Sequence, residues 1–324
     1  RLIMMTEDVV IRSEKLKHFV EKMSRRKFIA EIGATALMHA FADTRRVGSV
    51  SGVFRPGLRL GFQVFAVRDL CEKDLVGTLK AAKALGYEGV ETGRFYGRGA
   101  VEWKTICADI GLDLFALQLY PHNLTEPQLA ETIRFCHESG CTRINAAWYY
   151  GSPANPNDWQ LVINVMNHAA AVCAKEGISV AYHNHDHEFR MKFDGKSVWE
   201  WLWEPSSGNG SLRQITAVPR FSPLVMQELD CGNCILGGCD PVYWLDRYPC
   251  RNPTVHVMPV LEEAGVRPGE CGVGAKSDRA NWLRIIGSLR RNGTEWLVVK
   301  PVSFPDSLAD LKASAEYLRG LGVG

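Results

Sequence analysis

The sequence predicts an α/β fold of eight consecutive βα units, a single (β/α)8 TIM barrel preceded by an N-terminal signal segment. Three observations carry this. From Leu58 onward, short apolar runs alternate with amphipathic stretches, as in repeated βα units rather than in a sandwich or a bundle. Gly86, Gly111, Gly140 and Gly177 each close a helical pattern just ahead of the next apolar run, where a left-handed C-terminal cap is needed. No G-x-G-x-x-G follows the first strand, which argues against an open dinucleotide-binding sheet, although the βα rhythm alone does not separate that sheet from a closed barrel.

The apolar runs predict strands over Leu60–Phe65, Gly89–Glu91, Leu114–Leu117, Arg143–Ala147, Ser179–His183, Val225–Leu229, Thr254–Val257 and Trp296–Val299. Helical periodicity fills most gaps between them, over Leu75–Leu85, Val101–Ile110, Glu126–Glu138, Trp159–Glu176, Trp199–Trp203, Trp282–Leu289 and Ser307–Leu318. Before the sixth strand, Glu204–Ser222 carries Pro205, Ser206, Ser207, Gly208, Asn209 and Gly210 and reads as a loop insertion.

Ahead of the barrel, Met23-Ser24-Arg25-Arg26-Lys27-Phe28-Ile29 precedes the small-residue run Ile32-Gly33-Ala34-Thr35-Ala36-Leu37-Met38. A charged stretch followed by a short, weakly apolar one resembles a twin-arginine export signal, and it falls well short of the roughly 20 apolar residues that span a bilayer. The expected division is therefore an upstream, disordered or non-native segment over 1–22, with Met23 as the start, an export signal over 23–48 and the barrel over 58–324. The expected location is the bacterial periplasm.

With 46% apolar and 23% charged residues, the chain can bury a large core, and most of it is not disordered. Its formal net charge of +2 is spread without a basic stripe, which excludes nucleic acid as a natural partner. Of its ten cysteines, Cys71, Cys107, Cys136, Cys141 and Cys173 fall singly on apolar segments and read as buried thiols. Cys231, Cys234 and Cys239 begin as C-x-x-C, but no second pair or histidine spacing completes a four-ligand zinc site.

A barrel keeps its chemistry at the C-terminal ends of its strands. There the fifth strand runs into Tyr182-His183-Asn184-His185-Asp186-His187-Glu188-Phe189, a density of imidazoles and carboxylates that is costly to bury without partners. The second strand ends at Glu91, the sixth at Glu228-Leu229-Asp230 and the seventh at Val255-His256-Val257. Taken together, His183, Asp230 and His256 at one end of successive strands point to a divalent metal held by nitrogen and oxygen. Trp148, Tyr149 and Tyr150, after the fourth strand, are placed to stack a sugar ring or to pack a loop.

The successive segments Gly61-Phe62-Gln63-Val64-Phe65-Ala66-Val67-Arg68-Asp69, Gly86-Tyr87-Glu88-Gly89-Val90-Glu91, Tyr182 to Phe189, Met226 to Asp230, Gly238-Cys239-Asp240-Pro241 and Tyr248-Pro249-Cys250-Arg251 resemble the signatures of sugar phosphate isomerase/epimerase proteins with the xylose-isomerase-like barrel. The match runs in order from about Leu58 to the end. This resemblance implies manganese, zinc or magnesium at the barrel mouth and a small carbohydrate as partner. The metal polarises a carbonyl and its neighbouring hydroxyl, so that a base removes the intervening C–H proton through an enediolate. It implies His183, Asp230 and His256 as ligands, with His185 or Glu188 as alternative contacts on the fifth strand. His185, Glu91 and Lys300 become the catalytic candidates, and Trp148 and Tyr149 the substrate contacts.

Two positions depart from the pattern. Lys300 stands where relatives carry a ligand glutamate, and Met258 where they place lysine. A protonated lysine cannot coordinate a cation and repels it, but in a dry pocket it can serve as a base or nucleophile. The expected activity is therefore isomerisation or epimerisation of an unphosphorylated sugar or glycoside. The alternatives are a 3-keto-glycoside lyase or hydratase of the same fold and a barrel that binds carbohydrate without turnover.

Overall fold

A computed structural model describes residues 57–147, 154–193, 195–204, 220–261, 270–300 and 307–324. The export-signal segment 23–48 and Trp148, Tyr149 and Tyr150 lie outside the described residues, as does most of the Glu204–Ser222 stretch.

Eight parallel strands close on themselves: β1 (Arg59–Gln63), β2 (Gly89–Thr92), β3 (Asp113–Leu119), β4 (Arg143–Ala147), β5 (Ser179–His183), β6 (Val225–Asp230), β7 (Thr254–Val257) and β8 (Trp296–Val299), with β8 pairing β1. The closed barrel expected from the sequence is therefore what the chain forms. Closure leaves no sheet edge, so every strand finds hydrogen-bond partners on both sides.

The principal helices are α1 (Leu75–Ala84), α2 (Ala100–Ile110), α3 (Gln128–Ser139), α4 (Pro156–Lys175), α5 (Val198–Trp203), α6 (Cys231–Leu236), α7 (Pro241–Arg247), α8 (Trp282–Arg291) and α9 (Ser307–Gly320). Their starts have local causes. The Ser197 hydroxyl accepts from the Glu200 N–H while Glu200 returns a bond to the Ser197 N–H, a capping box that opens α5; Asn155 and Asn281 cap α4 and α8. Gly86, Gly111, Gly140 and Gly177 have φ of 92°, 78°, 79° and 71°, the left-handed geometry their placement predicts.

The differences from expectation are local. β1 ends at Gln63 because Val64–Val67 winds into a 3₁₀ turn that buries Val64, Ala66 and Val67. The sixth unit returns through two short helices, α6 and α7, that apolar periodicity does not reveal, since each is only two turns or fewer. Glu204 and Arg220 lie side by side, the Arg220 Nε donating to the Glu204 carbonyl at 3.2 Å.

Most apolar burial lies between strands and helices, where Trp103, Trp159, Trp199 and Trp282 are fully enclosed. A separate small cluster, Phe115, Ala116, Trp296 and Val298, includes a stack of the Phe115 and Trp296 rings at 4.2 Å. Trp296 opens β8, so this plug sits towards the N-terminal end of the barrel and leaves the C-terminal end for polar groups. Among the described residues no helix is long and apolar enough to cross a membrane.

Candidate functional site

Strand register assembles the site. His183 lies abreast of Glu228, and Asp230 abreast of His256. Because side chains alternate across a strand, Glu228 and Asp230 share a face, with Glu228 one step deeper. Glu91, Glu228, Asp230 and His256 have no exposed surface, and His183 retains 1%.

The ends of β5 and β6 are tied together by Asn184, whose side-chain oxygen accepts from the Asp230 N–H at 2.9 Å while its amide donates to the Asp230 carbonyl at 3.2 Å. The Asp230 Oδ1 accepts from the Asn233 N–H at 2.9 Å as the N-cap of α6. Gly232 lets that helix press against the end of β7: a Cβ there would lie 2.3 Å from the Met258 carbonyl oxygen. Met258 is thus a buried packing partner of α6. One carboxylate oxygen of Asp230 is consumed by the fold, and the other is aimed inward.

That second oxygen, Oδ2, accepts no hydrogen bond although it is buried. It lies 3.8 Å from His183 Nε2, 3.9 Å from His256 Nδ1 and 3.6 Å from Lys300 Nζ. The predicted trio of His183, Asp230 and His256 is therefore brought together, with Lys300 beside it. Ligand atoms around one zinc-like cation sit about 2.0–2.2 Å from it, so two of them are at most about 4.4 Å apart. The Asp230 distances meet that limit, and two imidazoles with a carboxylate suit a borderline divalent ion. Asp230 Oδ2, His183 Nδ1 and His256 Nδ1 are all buried without a hydrogen bond, and this donor set of carboxylate and imidazoles suits the metal that the barrel implies.

Beneath this layer lies a second one. Asn145, inward-facing on β4, donates through Nδ2 to Glu91 Oε1 at 2.7 Å and to Glu228 Oε1 at 2.5 Å. Glu91 Oε2 is 2.7 Å from His256 Nε2, and Gln118 donates to Glu228 Oε2 at 3.3 Å. Burial first, and then the neighbouring Glu91 charge, push the Glu228 carboxyl well above the usual carboxylate range. Among the described residues, His183, Glu228 and His256 form the one group whose ligand atoms all lie within 4.8 Å of one another, so Glu228 is a candidate ligand that borders the same two imidazoles.

Glu91 has both oxygens engaged by protein groups. Glu188, the alternative contact on the β5 segment, is engaged as well: the Tyr182 hydroxyl donates to one oxygen and the His185 N–H to the other, each at 2.8 Å. Both of its oxygens thus tie the polar loop down. His185 stands edge-on to His183 with ring centroids 5.3 Å apart and is stacked on His187. Burial, with the Lys300 charge and neighbouring imidazoles adding to it, holds His183 and His185 well below the ordinary histidine pKa, so both are neutral.

Sequence reasoning named Glu228 and Asn184 within their segments but gave them no role, and it missed Asn145 and Gln118. Glu228 carries a readable signal, since it stands two residues before Asp230 and so on the same face. Asn145 is a polar residue in an otherwise apolar strand, but its partners on β2 and β6 are set by barrel closure. Cys231 and Cys234 are buried in the core on α6, and burial pushes their thiols up.

Comparison with known proteins agrees with this architecture. A family model described as xylose isomerase-like TIM barrel matches residues 79–319. A crystal structure of a sugar phosphate isomerase/epimerase from Parabacteroides distasonis is similar at 20% identity and a TM-score of 0.61, covering 86% of this chain and 98% of that one. An L-ribulose 3-epimerase aligns at 14% identity and a TM-score of 0.58, covering 82% of this chain and 94% of that one. A D-allulose 3-epimerase from Methylomonas sp., solved with D-allulose, aligns at 14% identity and a TM-score of 0.56 over 82% of this chain and 98% of that one. A search of curated proteins returns no significant match.

Proposed function

The chain belongs to the xylose isomerase-like TIM barrel family, and from that premise we propose that it is a sugar isomerase or epimerase working by proton transfer next to a carbonyl. The observation that supports this most directly is the buried, unbonded Asp230 Oδ2 between the His183 and His256 rings at the mouth of the barrel.

In this reading His183, Asp230 and His256 hold a divalent manganese, zinc or magnesium ion. Such an ion would supply Lewis acidity to a sugar carbonyl and an adjacent hydroxyl, which would acidify the C–H bond between them. The chain supplies the rest. His185, kept neutral by burial, is in the proton-accepting form and stands at the site's edge. Lys300 presents an ammonium at the same edge, where it can donate to an oxygen that gains charge during proton removal. Return of the proton to the other carbon isomerises; return to the other face epimerises.

The substrate in this reading is a free sugar or glycoside met outside the cytoplasm, motivated by the Arg25-Arg26 segment at the N-terminus. Fusing residues 23–48 to a reporter protein tests export; a reporter retained in the cytoplasm removes that part of the proposal.

A second reading is favoured by one observation. Lys300 Nζ already lies 3.6 Å from the carboxylate that a cation would need, so the pocket is partly charge-balanced by the chain itself. In that case the barrel binds carbohydrate without this chemistry. Metal content of protein purified without chelator, followed by deuterium uptake from D2O into a panel of sugars, separates the two. Bound metal with exchange at a carbon next to the carbonyl supports the enzyme; an empty site with sugar binding and no exchange supports the binding barrel. An unsaturated keto product would instead indicate a lyase.

A further inference from the structure

We infer that Gln63 is a specificity-determining residue whose side-chain amide reads one hydroxyl of the sugar, from the wall of the barrel opposite the His183 strand. Sugar as the ligand is taken from the reading above; the enclosed amide is a property of the chain alone.

Strand alternation places the side chain. The Phe62 ring points outward, its centroid 5.2 Å from that of Tyr87 in the layer between strands and helices. Gly61 faces the interior, since a Cβ there would lie 2.6 Å from the Phe115 ring and 3.2 Å from that of Trp296. Gln63 is still in extended backbone, with φ −93° and ψ 130°, so it shares the inward side with Gly61, one layer above the Phe115–Trp296 plug. It ends β1 at the C-terminal mouth. Register sets Gln63 abreast of Glu91 on β2 and, one step past the Phe62–Val299 pair, beside Lys300 at the end of β8. In the closed ring of strands β5 stands opposite β1, so Gln63 faces across the barrel the strand that carries His183.

Gln63 is only 3% exposed, and its side-chain oxygen is enclosed without a hydrogen bond. Its register neighbours are engaged elsewhere: Glu91 has one oxygen on Asn145 and the other on His256, and the Lys300 ammonium is 3.6 Å from Asp230 Oδ2. A buried amide oxygen left unpaired costs free energy, and a methionine of similar shape would fill the same space without that cost. Glutamine at this point therefore serves a donor that arrives with the ligand. An amide oxygen takes an O–H and is no partner for an ionised carboxylate or phosphate, whose oxygens only accept. The hydroxyl of a neutral sugar meets that demand. In the reading above the reacting end is held on β5 to β7, so the hydroxyl read from β1 belongs to a carbon outside the reacting pair.

The test is a cycle between Gln63→Met and the single deoxy derivatives of whichever free pentose or hexose the full chain turns over best. The wild type should disfavour one derivative, lacking a hydroxyl outside the reacting pair, by about 10–100-fold in kcat/KM. Gln63→Met should bring that ratio to within about 3-fold of unity and leave the ratios for the other derivatives as they were. Without sugar, Gln63→Met should melt no lower than the wild type, and cobalt(II) titration should give the same affinity, because the amide is neither a fold contact nor a ligand. Matching ratios for every derivative in the two proteins overturn the inference, as does a lower sugar-free melting temperature or a weaker cobalt(II) site. A sugar that binds without turnover removes the isomerase reading alone, and the same cycle, read in Kd, then decides the role of Gln63. Failure of every sugar on the panel to bind overturns both. If Gln63→Met does not fold, Gln63→Asn, which withdraws the amide by one methylene, takes its place with the same expected loss of discrimination.

Discussion

The two ends of this barrel handle charge in opposite ways. At the N-terminal end the charged groups sit at the rim and are paired. Arg59 reaches Glu88 at 3.3 Å and Asp113 at 2.6 Å with its guanidinium 3.9 Å from the Trp296 ring centroid, and Arg143 meets Glu295. Behind them Trp296 and Phe115 fill the interior with apolar surface. At the C-terminal end Glu91, Glu228, Asp230, His183 and His256 are buried with almost no exposure, and Asp230 keeps an oxygen that nothing donates to. Burying polar groups without partners costs free energy that the N-terminal end shows the fold can avoid. The C-terminal end is therefore shaped by something other than stability.

The largest separation of the two ends should come from Asp230→Ala. It removes charge and geometry together, so bound metal should fall below detection, a loss exceeding the roughly 10–100-fold that outer-layer changes cause. Metal analysis after dialysis checks this, and unchanged content would show that the ligands are elsewhere. Stability should fall only by the roughly 0.5–2 kcal/mol of a lost helix cap, since Asp230 Oδ1 caps α6 while its other oxygen has no donor.

Trp296→Ala is the mirror experiment. Emptying the plug should cost about 3–5 kcal/mol of stability, measured by chemical denaturation, while cobalt affinity per folded molecule stays the same. A variant that loses cobalt affinity and keeps its stability would erase the distinction between the ends.

Lys300→Glu sharpens the comparison at the site itself. It exchanges a repelling ammonium for an anionic oxygen of similar reach, so we predict cobalt affinity raised about 10-fold or more, the effect of roughly 1.4 kcal/mol or more in binding, and equal or higher turnover on the sugar panel. An active wild type whose Lys300→Glu variant keeps metal but loses turnover would assign Lys300 a catalytic role.

The smallest effect is in acid. His185 is held below its ordinary pKa of 6.5 by burial, so the unfolded chain takes up a proton more readily than the folded one. Its contribution is present above pH 6.5 and is lost as pH falls below that value, by at most about 1.4 kcal/mol per pH unit. His185→Asn should flatten the fall in melting temperature between about pH 6.5 and 5.5. Parallel curves for the two proteins would show that this imidazole is not the group that titrates.

What the residues themselves determined is the alternation. Eight apolar runs, glycines at helix ends and the absence of a dinucleotide motif are local properties, and local backbone preferences acted on them as expected at Gly86, Gly111, Gly140 and Gly177. That His183, Asp230 and His256 lie at one end of the barrel was legible because each stands at or next to the end of an apolar strand, and every strand end of one polarity lies on one side of the barrel. Glu228 and Asn145 were not legible in their roles. Glu228 belongs to the same face as Asp230, but its depth, and the Glu91 charge beside it, follow from barrel closure between β2 and β6 through Asn145 on β4. Lys300 read as the residue that spoils a cation site; its distance of 3.6 Å to Asp230 shows which carboxylate it faces. Sequence patterns report which side of a strand a residue occupies. Only the closed barrel decides which residues from strands 54 to 165 positions apart share a hydrogen bond, because no local periodicity encodes contacts at that separation.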